Sequence, residues 1–277
     1  MADTQEQPPV VVTDPAPLDT ADVKAASIEA APSSATLCVP EAADIPTPIE
    51  QPEQREQTAI EESKQSAAVT ETLNNWFQTF DQPTILAQFQ NYAAYTSPST
   101  ESSAKKFVSQ MLDALVTESF TRGGGAVART AMLFPELVKG LVVSVDDVQE
   151  CIKSFTKRHI LPPATATPQT NKYFGIFYGV VYADLPSSFS LPFLQTLLTP
   201  LTESDDGDLS ILKILSQVLG TVQVMYGDEK LVSVYKEFGC PLKSFWKVEK
   251  AGKKGEVDEA VLNFLEGASL ECLVPLQ

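Results

Sequence analysis

From about residue 70 onward, apolar side chains recur with the period of an α-helix. In residues 103–120, Phe107, Met111 and Leu115 stand four positions apart, which places them on one face of a helix. Residues 209–225 repeat this spacing. Signals for β-strands are weak, because the short clusters of β-branched residues fall within or beside these helical stripes. The pattern therefore predicts an all-α fold.

Helix starts can be located from capping residues and from breaks in the apolar stripes. Ser144 and Asp147 have the spacing of a capping box, in which each side chain accepts from the other residue's backbone amide. Pro135 interrupts a helical run and predicts the start of a second helical piece, since proline suits a first turn but not a helix interior. The predicted starts are residues 104, 126, 145, 169, 189, 208, 229 and 256. One or two further helices are expected in residues 71–92.

The spacing of these starts suggests a helical repeat. Their mean separation is about 22 residues, so two helices make a unit of about 43 residues, a length typical of HEAT-like helical hairpins. The sequence therefore predicts an array of antiparallel helical hairpins, an α-α superhelix.

The beginning of the chain has a different composition. Residues 1–75 contain no aromatic residue, and residues 1–64 hold nine of the 20 prolines. Residues 1–64 also carry thirteen acidic and three basic residues, a net charge of −10 out of −16 for the whole chain. Such a segment buries too little apolar surface to offset the entropy of ordering. Residues 1–68 are therefore predicted to form a disordered, acidic, proline-rich tail.

Charge and residue types argue against several classes of function. Residues 69–277 carry a net charge of −6, which argues against broad nucleic-acid binding. Four scattered cysteines and a single histidine give no metal-binding spacing, and no motif for a cofactor is visible. The glycines at 123–125 lack the Lys-Ser/Thr that ends a phosphate-binding loop, and His159 has no nucleophile at motif spacing. No apolar run reaches the ~18 residues needed to span a bilayer, and no cluster of catalytic residues is visible. The expectation is therefore a cytoplasmic protein that is neither an enzyme nor membrane-spanning.

Residues 161–186 join a proline-rich loop to a segment dense in aromatic residues and glycine. Pro162, Pro163 and Pro168 fix their own φ angles and favour extended conformations just before them, so we expect a stiff loop. Gly175 follows within a predicted helix, where glycine costs up to ~1 kcal/mol relative to alanine, and it therefore predicts close approach of a neighbouring helix. The aromatic residues expected to fill the core around it are Phe174, Phe177, Tyr178 and Tyr182.

The same segment resembles a known family. Gly175 stands seven positions after Pro168 and directly behind the pair Tyr173 and Phe174, and the loop follows a capped helix that begins near residue 145. This pattern resembles the MA-three domain of the translation initiation factor 4G scaffold family. The resemblance implies a domain of helical hairpins that binds other proteins, in particular the DEAD-box 4A RNA helicase. The resemblance implies that four residues have a structural role in the family motif: Pro168, Tyr173, Phe174 and Gly175.

The resemblance also suggests a binding surface. In the family, the Asp of an Asp-x-Pro motif and an acid four residues earlier contact the helicase. Here those positions hold Ala166 and Pro162, with Thr167 between Ala166 and the proline. Three acids, Asp146, Asp147 and Asp184, are candidates to replace them in space. The candidate partner-binding residues are therefore Asp146, Asp147, Pro162, Ala166, Thr167 and Asp184.

A fainter resemblance covers the C-terminal residues. Residues 243–273 hold a tryptophan, a Lys/Gly-rich loop and an amphipathic helix, which is similar to the W-two domain that ends several initiation factors. In those factors, acids beside the last helix bind basic partners, and here Glu259, Glu266 and Glu271 remain. Trp246 is expected to be a core anchor.

These interpretations divide the chain into four regions. After the tail of residues 1–68 come N-terminal helices and a linker in 69–102, an MA-three-like domain in 103–200, and further hairpins in 201–277. The expected function is a non-enzymatic scaffold or adaptor in translation initiation, without a cofactor. The alternatives are an adaptor of the same fold in mRNA decay or translational repression, and an enzyme of unrecognised type.

Overall fold

The computed structural model describes residues 52–94, 101–162, 164–203, 207–245 and 254–277. These residues are helical and contain no β-strand, which confirms the predicted all-α class. One compact unit extends from Glu50 to Gln277.

Ten α-helices lie within the described residues. They are α1 (Pro52–Thr79), α2 (Gln82–Ala94), α3 (Glu101–Arg122), α4 (Gly124–Lys139), α5 (Val145–Phe155), α6 (Pro168–Asp184), α7 (Leu191–Leu198), α8 (Gly207–Tyr226), α9 (Asp228–Phe238) and α10 (Lys254–Gly267). A turn of π-helix (Thr156–Ile160) extends α5, and short 3₁₀ turns span Thr199–Glu203, Leu242–Phe245 and Glu271–Leu276.

Each of the eight predicted helix starts lies within three residues of the start of α3 to α10, and α1 and α2 supply the two further helices. The agreement has a local cause, because caps and apolar stripes act within a few turns of the backbone. Ser144 is the N-cap of α5, as the capping box predicts.

Two predictions about helix boundaries are wrong. Helix α1 begins at Pro52, so residues 52–68 of the predicted disordered tail are helical, while residues 1–51 lie outside the described residues. Residues 52–68 lack aromatic rings but are rich in Glu, Gln and Ala, which favour helix. Pro135 does not start a new helix but lies inside α4. Its ring is on the buried face of α4, and the packing of that face outweighs the lost backbone hydrogen bond.

Helix α6 occupies the centre of the core, packed against α4 on one face and α8 on the other. Phe177 of α6 meets Phe134 of α4 edge to face, with ring centroids 5.0 Å apart. The four aromatic residues predicted to fill the core are all buried: Phe174, Phe177, Tyr178 and Tyr182. Their burial confirms the predicted packing around Gly175.

The contact between α6 and α8 depends on two glycines one turn apart. A Cβ atom added to Gly175 would lie 2.5 Å from Gln217 Cβ, and one added to Gly179 would lie 2.7 Å from the carbonyl oxygen of Val218. Both distances are far below normal carbon contacts, so only glycine permits this approach of the two backbones. The predicted close approach at Gly175 is confirmed.

The α6–α8 contact joins residues on either side of the division proposed at residue 200. The boundaries of the MA-three-like domain at residues 102 and 200 stay predictions. The HEAT-like arrangement of the hairpins also stays a prediction.

Candidate functional site

The capped start of α5 holds two of the predicted binding residues, Asp146 and Asp147. The Asp147 amide donates to Ser144 Oγ at 3.1 Å, and the Ser144 amide donates to Asp147 Oδ2 at 3.3 Å. Asp147 is therefore engaged in starting the helix. Asp146 is exposed and takes no part in this capping box, so its carboxylate is the better placed of the two to meet a partner.

The loop at the other end of α5 is held by hydrogen bonds as well as by its prolines. The amides of Thr165 and Ala166 both donate to the carbonyl oxygen of Pro162 at 3.0 Å, and Thr165 Oγ1 lies 3.2 Å from the carbonyl oxygen of Arg158. The Arg158 guanidinium bonds Asp113 of α3. Pro163 lies outside the described residues. Thr165 and Ala166 are therefore tied to the end of the preceding helix, although Ala166 and Pro162 offer no charged group to a partner.

Thr167 and Pro168 begin α6. The Thr170 amide donates to Thr167 Oγ1 at 3.1 Å, which makes Thr167 the N-cap, and Pro168 follows in the first turn. Proline is favoured there because its missing N–H would have had no helical partner. Thr167 is exposed, but its hydroxyl is already used by the helix.

Asp184 lies at the opposite end of α6 from Pro168, about 24 Å away by the rise of the helix. Its Oδ2 atom accepts a 2.8 Å hydrogen bond from the hydroxyl of Tyr226, which connects the ends of α6 and α8. Burial and this neighbouring carboxylate both raise the pKa of Tyr226. Asp184 is thus hydrogen-bonded to α8 and lies far from the loop that precedes Pro168.

The candidate acids and the candidate loop residues lie at different ends of the α5–α6 pair. The Gln149 side chain, near the start of α5, donates to the carbonyl oxygen of Ser188, beyond the end of α6, at 2.8 Å. The start of α5 is therefore close to the end of α6, where Asp184 lies. The structure brings Asp146 and Asp147 to this end and leaves Pro162, Ala166 and Thr167 at the other.

A groove that the sequence analysis missed opens beside the start of α6. It has a volume of about 720 Å³ and lies between the first turns of α6, the first half of α8 and one face of α10. Its lining includes Lys172, Leu212, Lys213, Ser216, Ala260 and Phe264. Pro168, a residue of the predicted motif, also borders it.

Small side chains and the α6–α8 approach explain the depth of the groove. Ser216 and Ala260 are short and leave room between α8 and α10. Gln217, whose Cβ lies against Gly175, is also part of the lining, so the glycine contact positions the wall formed by α8. Lining residues from different helices are at least 40 positions apart in sequence, and no local pattern links them.

The described side chains that line the groove carry a net positive charge, although the protein as a whole is acidic. The lining contains two exposed lysines, Lys172 and Lys213, and no acidic residue among those described. The apolar part comes from Leu212, Phe264, Ala260 and Ala268. Such a surface suits a ligand that combines apolar groups with carboxylates.

Cys151 and His159 lie outside the lining of the groove. Cys151 is buried, and this burial raises the pKa of its thiol to about 12, which keeps it protonated at neutral pH. His159 stacks beside Phe155 with ring centroids 4.7 Å apart, and partial burial together with Arg158 lowers its pKa. Among the described residues, no three His, Cys, Asp or Glu side chains come together as metal ligands would.

The C-terminal residues behind the W-two resemblance are described in part. Glu259, Glu266 and Glu271 are exposed, while Trp246 lies outside the described residues. In the portion of the chain that the structure describes, no helix combines the length and the apolar character needed to cross a bilayer.

Comparison of the chain with family models, curated proteins and solved structures finds no match. The resemblances to the MA-three and W-two domains therefore rest on the sequence motifs quoted above.

Proposed function

We propose that this protein is a non-enzymatic scaffold or adaptor in translation initiation, which binds an initiation factor such as the DEAD-box 4A RNA helicase. In this proposal its helices form a HEAT-like array of hairpins whose outer surface holds the partner. The action takes place in the cytoplasm, where initiation factors meet.

The observation that supports the proposal most is the corner between α5 and α6. A capped helix, a loop held at Pro162, a Thr-Pro helix start, and a glycine pressed against α8 seven residues after Pro168 occur in the order of the MA-three motif. A rigid corner of this kind suits protein binding, because little conformational entropy is lost on association.

One observation favours the second candidate, an adaptor in mRNA decay or translational repression. The two loop positions that are acidic in the MA-three family hold Ala166 and Pro162, and the nearest candidate acids lie at the other end of the α5–α6 pair. A chain without the acidic loop has lost the family's known contact with the helicase, which fits an adaptor for a different partner.

A pull-down of purified 4A helicase by the full chain tests the first candidate, together with the RNA-stimulated ATPase rate of the helicase. We expect binding and a changed rate. Absence of both would reject the initiation proposal and leave the second candidate.

A charge-reversed variant locates the contact. Asp146→Lys is expected to weaken helicase binding about five-fold, the effect of losing an exposed ion pair with some added repulsion. Glu237→Lys, on the exposed side of α9, is the matched control and is expected to bind like the wild type. Thermal melting of both variants checks that neither effect comes from unfolding, since Asp146 also lies in the favourable first turn of α5.

A further inference from the structure

The groove between α6, α8 and α10 combines three properties of a docking site for a peptide. It is open along its length, its floor is apolar, and its charged rim has one sign. From Ala260 to Gly267, the wall formed by α10 measures about 10 Å, roughly two helical turns. Two or three apolar side chains spaced by one turn would fill such a length.

The charge of the rim selects the kind of segment. Lys172 projects from α6 and Lys213 from α8, on two different walls of the groove. Both lysines are exposed, and the described lining holds no carboxylate that would neutralise them. In a chain of net charge −16, this is a local reversal of sign.

From this geometry we infer that the groove binds an acidic amphipathic helix of a partner protein. Its apolar side chains would lie on Leu212 and Phe264, between the small residues Ser216 and Ala260. Its carboxylates would face Lys172 and Lys213. This inference rests on the proposed binding function and gives it a surface distinct from the acids of α5.

The direct test uses a designed probe with the full chain. The probe is a fluorescein-labelled peptide of about 16 residues, with leucine at i, i+4 and i+8 and glutamate on the flanking positions. Its control has the same sequence with lysine in place of glutamate. By fluorescence anisotropy at low salt, the glutamate peptide is expected to bind at least about ten-fold more tightly, and added salt should reduce the difference. Equal affinity of the two peptides, or no binding of either, would overturn the inference.

Variants of the protein assign the binding to the groove. Lys172→Glu and Lys213→Glu are each expected to weaken the glutamate peptide about five-fold, and the double variant should prefer the lysine peptide. Lys105→Glu, an exposed lysine of α3 outside the groove, is the matched control and should leave affinity unchanged. If the control weakens binding as much as the groove variants do, the attraction is a general charge effect and the inference fails.

A steric variant tests the apolar part of the groove. Ser216→Trp fills the space between α8 and α10 and is expected to abolish binding of both peptides, with an unchanged circular dichroism spectrum. Binding that persists in this folded variant would place the peptide elsewhere. Sedimentation of the wild type tests whether a second copy of this chain fills the groove instead. A dimer that dissociates in Ser216→Trp would show this and would contradict the inference.

Failure of this inference can be distinguished from failure of the proposed function. Helicase binding that is insensitive to the double lysine variant, combined with no peptide binding, rejects the groove and keeps the function. Peptide binding that follows the charge pattern, without any helicase binding, keeps the groove and rejects the initiation role.

Discussion

Replacing Gly175 by alanine tests the packing on which the central helix depends. In an open helix this change stabilises a protein by up to ~1 kcal/mol, because alanine has the higher helix propensity. At Gly175 the new methyl group would lie 2.5 Å from Gln217 Cβ, 2.7 Å from Gln217 Cγ and 3.1 Å from the carbonyl oxygen of Ile214. The contacts include backbone and the root of a side chain, which cannot move unless α8 moves.

The expected magnitude is the difference between these two effects. Overpacking of a core by one methyl group costs roughly 1–3 kcal/mol. The distances at Gly175 place it in the upper part of that range, and the gain in propensity removes up to ~1 kcal/mol. We therefore expect Gly175→Ala to lower the free energy of unfolding by about 1–2 kcal/mol, or the melting temperature by about 2–8 °C for a unit of this size.

Urea unfolding followed by circular dichroism measures this change, with Gly220→Ala as the matched control. Gly220 lies inside α8, and apart from its chain neighbours and the backbone of its own helix no atom lies within 4 Å of an added Cβ. The control is expected to gain up to ~1 kcal/mol. The same chemical change should thus have opposite signs at two helical glycines, and equal effects at both would refute the argument.

A double-mutant cycle ties the loss to one contact. Gln217→Gly removes the side-chain atoms nearest to the added methyl group, so Gly175→Ala should be less destabilising in that background by about 1 kcal/mol or more. A coupling energy near zero would mean that Gly175 is required for another reason.

Three further predictions concern stability. Ser144→Ala removes the N-cap of α5 and should lower the free energy of unfolding by about 1 kcal/mol in urea titrations. Tyr226→Phe removes the hydrogen bond to Asp184 and should cost about 1–2 kcal/mol by the same measurement. The folded protein should also lose stability as the pH rises above 9, because the buried thiol of Cys151 has a pKa of about 12 against an ordinary value of 9.0, so the unfolded chain gives up its proton first. The free energy of unfolding from urea titrations at pH 8, 9 and 10 should fall by up to ~1.4 kcal/mol per pH unit above 9, and less steeply in Cys151→Ala.

A control variant or a specific outcome would contradict each of these three predictions. Ser154→Ala, at an exposed position within α5, should be neutral or slightly stabilising, and a loss equal to that of Ser144→Ala would disprove the capping role. Asp184→Asn keeps an acceptor for the Tyr226 hydroxyl, so it should lower the free energy of unfolding by less than Tyr226→Phe does. An unchanged alkaline slope in Cys151→Ala would assign the pH dependence to other groups, such as the buried tyrosines, whose raised pKa values act in the same direction.

Much of the local structure could be predicted from the sequence, because caps and apolar stripes act over short distances. The start of α5 followed from Ser144 and Asp147, and the crowding at Gly175 followed from a costly glycine amid aromatic residues. The two errors have the same origin. At Pro135 and in residues 52–68, a local signal for a break or for disorder was outweighed by packing or by helix propensity spread over many residues.

Local patterns in the sequence were enough to predict that the described residues are helical and where α3 to α10 begin, since a 3.6-residue period depends only on neighbours along the chain. The bond between Asp184 and Tyr226, which keeps Asp184 away from the loop, depends on how the helices pack in three dimensions. The tertiary structure also decided that Lys172, Lys213 and Ala260 border one groove. These residues come from helices far apart in sequence, and their meeting follows from how closely α6 and α8 approach, a balance of packing energies that no local pattern records.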